Sequence, residues 1–143
     1  MRKLMMAAAL AVATMGGAAA VVSTQAEAQV GTALAGEWVG GYISSDGLDV
    51  NTFNVKLAQA GGAISGTIYE VNAFGDVTRA LFLTSTFNGS VSGRQVRFTK
   101  TYDGSGGASH SVTYSGVLEP NNRRIVGTYD ASGARGAFEM VRN

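Results

Sequence analysis

The chain has 143 residues, with 11 Lys and Arg against 10 Asp and Glu, 20 glycines, one proline and no cysteine. That length fits one domain of ordinary size beside a leader and leaves no room for a second core. Balanced charge gives no electrostatic means of capturing a phosphate backbone, so nucleic acid is not an expected partner, and the missing cysteines exclude disulfides, thiolate metal sites and cysteine nucleophiles.

Arg2 and Lys3 precede an apolar stretch from Leu4 to Val22, and Ala26-Glu27-Ala28 then offers a small-residue cleavage site. This is the tripartite order of a secretory signal peptide. An uncleaved membrane anchor is the rival reading, but Ala and Gly dominate the stretch and insert less favourably than Leu or Ile. Residues 1–28 are therefore read as a signal peptide and 29–143 as a periplasmic or secreted domain with no membrane span after cleavage. Removing Arg2, Lys3 and Glu27 leaves that domain formally neutral.

From residue 35 onward apolar residues recur at every second position, the spacing of side chains on one face of a strand. Eight segments show it: 36–43, 51–59, 63–71, 79–88, 94–102, 110–118, 124–131 and 136–142. Ala60-Gly61-Gly62, Asn88-Gly89, Ser92-Gly93, Asp103 to Gly107, Pro120-Asn121-Asn122 and Ser132-Gly133 supply the turn chemistry between them. Short turns make successive strands antiparallel neighbours, and eight such strands can close without an exposed edge. The fold expected is all-β, an eight-stranded antiparallel up-and-down β-barrel. The fourth segment leaves its register open, because Leu81, Phe82, Leu83 and Phe87 put apolar groups on both faces. A bulge there, or an outer patch covered by a second subunit in a homo-oligomer, would account for it.

Alternating strand direction collects the inward Tyr42, Glu70, Lys100, Tyr102, His110 and Tyr129 at one rim. Trp38, Leu57, Ile64, Val96, Leu118, Ile125 and Met140 fall at the other end. Unpartnered ionisable groups are costly to bury, so the rim is expected to be wet or ligand-filled above an apolar floor. The outward positions, such as Lys56, Thr67, Thr99 and Ser115, are polar, which argues against an outer-membrane barrel with a lipid-facing band.

Gly36-Glu37-Trp38 resembles the G-x-W opening of calycin barrels, and Arg142 stands where lipocalins place an arginine across that tryptophan. The segment Gly62 to Glu70 is similar to the G-A-L-x-G-T-Y-E stretch of the avidin and streptavidin family, one residue longer. The resemblance implies a calycin-like barrel with Trp38 and Arg142 in structural roles. The several tryptophans with which avidins wrap biotin are lacking here, so biotin is not the expected ligand. Tyr69 matches the family's ligand-contacting tyrosine if the extra residue forms a bulge; otherwise Tyr69 points out and Glu70 in.

Each chemical group has a plain structural reading beside the functional one. His110 is the only histidine, a residue type suited to proton transfer near neutral pH, with Tyr102 or Asp103 as an orienting partner if the protein is an enzyme. No serine elbow or histidine motif surrounds it, and a loop-edge role is the plainer alternative. Glu70 and Lys100 could bridge each other or anchor a ligand's polar group. Asp46 to Asn51 lacks the length and terminal glutamate of a calcium loop and reads as a turn, so no metal site is expected. Gly104 to Gly107 precedes no helix and reads as a flexible flap over the mouth.

The first reading is an exported binding protein holding a small, partly apolar molecule, without a cofactor, among Tyr42, Glu70, Lys100, Tyr102, His110 and Tyr129. A second is a small barrel isomerase, lyase or hydrolase using His110 with Tyr102, and a third is an interaction module whose barrel is filled by its own side chains.

Overall fold

The computed structural model describes residues 34–143. The expected signal peptide lies outside the described residues. Eight antiparallel strands form one closed barrel in sequence order: β1 (Gly36–Ser44), β2 (Val50–Ala60), β3 (Ala63–Val71), β4 (Phe82–Ser92), β5 (Gln95–Tyr102), β6 (Ser111–Leu118), β7 (Arg124–Ala131) and β8 (Ala134–Arg142). β8 closes on β1, where Trp38 stands opposite Arg142 and Tyr42 opposite Phe138.

The inward parity read from the sequence holds along the strands. Trp38, Phe53, Val55, Ile64, Ile68, Val96, Phe98, Leu118, Ile125, Phe138 and Met140 are buried, whereas outward Lys56, Thr99 and Ser115 are exposed and Thr67 is half-buried. Period-two alternation against a single interior fixes register, since slipping by one residue would turn every apolar side chain into water.

Two local expectations are corrected. β4 begins at Phe82 rather than 79, because Asn72 holds the residues before it in a loop. Its N–H donates to the Leu81 carbonyl at 2.9 Å, its side-chain amide donates to the Ala80 carbonyl at 2.8 Å, and its Oδ1 accepts the Gly75 N–H at 2.6 Å. β4 also runs through Asn88-Gly89 instead of turning there, with Gly89 paired to Phe98. A Cβ on Gly89 would lie 2.0 Å from the Arg97 carbonyl oxygen, so glycine serves here for close strand approach. The open register is settled as well: Leu83, Ser85, Phe87 and Val91 are buried while Phe82 is exposed.

Side chains fill the barrel below its mouth. At the closed end Trp38 is 1 % exposed, its indole N–H donates to the Leu34 carbonyl at 2.9 Å, and the Arg142 guanidinium stands 5.2 Å from its ring centroid. Arg142 also donates to the Ala35 carbonyl at 2.8 Å. One layer higher, the Phe53 ring lies over Gly40, where a Cβ would come within 2.2 Å of it. Phe98 stacks on Tyr114 with centroids 4.6 Å apart and meets Phe138 edge-on at 6.0 Å.

Candidate functional site at the barrel mouth

The mouth is framed by the connections β1–β2, β3–β4 and β5–β6. In the first, Asp46 accepts the Ser44 hydroxyl and the Leu48 N–H and Gly47 takes φ 76°, so this acidic stretch forms the tight turn expected. The stretch read as a flexible flap is instead stapled down through a short 3-10 turn at Ser105–Gly107. The Ser105 hydroxyl accepts the Thr84 N–H at 2.9 Å, Asp103 accepts the Ser105 N–H at 2.9 Å, and the Asp76 N–H donates to the Gly106 carbonyl at 2.8 Å.

These loops and the upper strand ends enclose a cup of about 280 Å³. Four of the chain's five tyrosines line it: Tyr42 from β1, Tyr102 from β5, Tyr114 from β6 and Tyr129 from β7. Phe74, His110, Val112, Asn51, Asp49, Leu48 and Ala131 are among the other residues of its wall. The rings brace one another, Tyr42 meeting Tyr129 edge-on at 5.5 Å and Tyr114 lying 6.0 Å from Tyr129. Phe74 from the β3–β4 loop meets Tyr102 edge-on at 5.5 Å. Two wider hollows, of about 1220 and 620 Å³, run along the outer wall past outward residues such as Arg97 and Thr113, or Val39 and Val141.

Of the rim residues expected from the sequence, Tyr42, Tyr102, His110 and Tyr129 line the cup and Glu70 and Lys100 do not. Those two lie beneath it, 2.6 Å apart, with side chains 0 % and 1 % exposed respectively. The Lys100 ammonium also donates to the Tyr102 hydroxyl at 2.7 Å and lies 4.3 Å from that ring's centroid. Asn51 approaches the other carboxylate oxygen of Glu70 at 3.4 Å. Glu70 faces inward opposite Phe53 and Leu83 in unbroken pairing, and Tyr69 faces outward opposite Asn54 and Thr84. The bulge that would have brought Tyr69 into the barrel is absent.

Burial governs the protonation of these groups. It pushes Tyr42 up to about 12, with the Asn51 hydrogen bond opposing and the Glu70 charge adding to the rise. Burial raises Tyr102 and Tyr114 further, helped in Tyr102 by a hydrogen bond to Glu70 and in Tyr114 by the charge of Glu70. Tyr129 is raised by burial and by the carboxylates of Asp49 and Asp46. Lys100 is drawn below its ordinary value by desolvation, which the Glu70 carboxylate resists. The four phenols therefore stay protonated at neutral pH and present hydroxyl groups, not phenolates.

Tyr114 lines the cup as well, where the sequence reading does not place it. It is 4 % exposed, shares the parity of His110 and Val112, and its hydroxyl forms no hydrogen bond among the described residues. That parity was the available signal, but position along the strand put Tyr114 below the rim instead of in the cup wall. His110 precedes β6 and stacks against Tyr102 at 4.6 Å and Phe74 at 5.6 Å. Asp103, the other orienting partner expected beside Tyr102, accepts the Ser105 N–H instead. Among the described residues, no group of three His, Asp or Glu side chains is arranged to hold a metal ion.

No protein-family model and no curated protein matches the chain. Solved structures similar to it include designed β-barrels. The likeness is one of fold. A redesigned β-barrel bound to DFHBI aligns with a TM-score of 0.61 at 12 % identity, over 82 % of this chain and 98 % of that one. A de novo designed fluorescence-activating β-barrel aligns at 0.59 with 16 % identity, over 79 % and 96 %. A further redesigned β-barrel aligns at 0.63 with 11 % identity, over 82 % and 95 %.

Proposed function

We propose that this is an exported binding protein that holds a small, partly apolar molecule in the cup at the barrel mouth. The observation that carries the reading is the convergence of four tyrosines on a cup of about 280 Å³ above a filled floor, near the lower end of the ~300–1,000 Å³ usual for ligand pockets. Aromatic faces supply apolar contact, and the hydroxyls of Tyr114 and Tyr129, hydrogen-bonded to no described residue, are free to fix the ligand's polar group. That a barrel of this shape can carry a small molecule has a parallel in the redesigned barrel bound to DFHBI. Export rests on the leader-like order of residues 1–28.

The calycin-like opening supports kinship in shape through the Trp38 and Arg142 stack, while the outward Tyr69 weakens the avidin-like half of the resemblance. An enzymatic role for His110 draws less support, because no described carboxylate orients its ring and the neighbouring phenols hold their protons. Native mass spectrometry of protein isolated from its natural source tests the reading. A retained small-molecule mass that disappears in Ala131→Trp, where the new ring occupies the cup, is the expected result. A bound mass undiminished by that substitution would locate the ligand elsewhere.

A further inference from the structure

Resting on the cup as a binding site, the charge around it narrows the ligand class. No lysine or arginine lines the cup, and the one carboxylate that does belongs to Asp49. Asp49 makes none of the ion pairs found among the described residues, and Asp46 stands three residues away on the same loop. Lys100 is committed to Glu70 at 2.6 Å and Arg135 to Asp130 at 2.7 Å, while Arg79 of the β3–β4 loop lies beside Gly107 and is not part of the cup lining. Glu70 is balanced by Lys100 at 2.6 Å, so the field in the cup is set by Asp49, the carboxylate on its lining. Such a field repels an anion and attracts a cation.

The walls suit the same charge. Aromatic faces are negative and attract an ammonium group within about 6 Å of the ring centroid, most strongly when water is excluded. Tyr102 already holds one cation in this way from below, the Lys100 ammonium at 4.3 Å, whose charge Glu70 balances. Tyr129 meets Tyr42 edge-on and Tyr114 at a tilt, and with Tyr102 these rings line one cup. We propose that the cup is an aromatic cage for an organic cation, a quaternary or methylated ammonium group held among Tyr42, Tyr102, Tyr114 and Tyr129 with Asp49 at its rim.

Calorimetric titration of the protein with three probes of similar size separates this proposal from the broader reading: phenyltrimethylammonium, its neutral carbon isostere tert-butylbenzene, and benzoate. Phenyltrimethylammonium is expected to bind at least about tenfold more tightly than tert-butylbenzene. Asp49→Asn, an exposed loop substitution, should weaken the cation about threefold and leave the neutral probe unchanged. Equal affinity for cation and isostere, or tightest binding of benzoate, would overturn the cation class while leaving the cup as a binding site. Failure of all three probes to bind up to millimolar concentration would remove the binding cup itself, and this inference with it.

Discussion

Lys100 and Glu70 place a full ion pair where water does not reach, and each offsets its desolvation chiefly through the other, with Tyr102 and Asn51 adding hydrogen bonds. Lys100→Met therefore leaves a carboxylate stranded in the barrel and is expected to cost about 3–5 kcal/mol in chemical denaturation, with Glu70→Gln added to Lys100→Met restoring much of it. An unchanged denaturation midpoint in the single variant would show that the pair is not an anchor of the fold. At the closed end, Trp38→Ala opens a cavity beneath Arg142 and is expected to lower stability by about 3–5 kcal/mol; an unaltered melting temperature would remove Trp38 from the floor. The tyrosines carry a pH signature. Tyr42 is raised from 10.0 to about 12, so in that interval the unfolded chain gives up its phenolic proton more readily than the folded one. Its stabilising contribution is complete below pH 10 and declines as pH climbs towards 12. Alkaline titration followed by tyrosine ultraviolet absorbance should show phenols ionising late and together with unfolding.

Between residue and barrel, the strands and their connections decide which groups meet. Most strands were legible because alternation and one-sided burial express the same constraint, as in Val96, Phe98, Lys100 and Tyr102, all buried along β5. β4 was not, since Leu81, Phe82 and Leu83 offer apolar groups to both faces and only the Asn72 hydrogen bonds show where pairing starts. Asn88-Gly89 misled for a related reason: the same dipeptide favours a hairpin turn and, in mid-strand, admits the close approach of Arg97. The β5–β6 connection hid its order because its glycines look free in sequence, whereas its fixing hydrogen bonds come from distant Thr84 and Asp76. Ser105→Ala deletes the hydroxyl that accepts the Thr84 N–H and should cost about 1 kcal/mol. Hydrogen exchange at the Thr84 amide should rise while the β5 ladder stays protected; unchanged exchange would show that the loop is held by other contacts.

At the scale of the molecule, closure of eight strands was legible and the depth of the cavity was not. Strand direction told which inward residues gather at the mouth, so Tyr42, Tyr102, His110 and Tyr129 were found. Height within the barrel depends on strand tilt and on which large rings occupy the middle, and neither shows in a linear pattern. Phe53, Phe98 and Phe138 fill that middle, which leaves Tyr114 as cup wall and seals Glu70 and Lys100 below it. The result joins two parts in one cylinder, a packed lower barrel and, above it, the aromatic cup proposed as the binding site. A crystal structure determined after soaking with phenyltrimethylammonium and tert-butylbenzene tests that division most directly. The account predicts a probe molecule among Tyr42, Tyr114 and Tyr129 with the Glu70–Lys100 pair intact beneath it. Tyrosine rings collapsed onto one another, with probes found only along the outer wall, would contradict it.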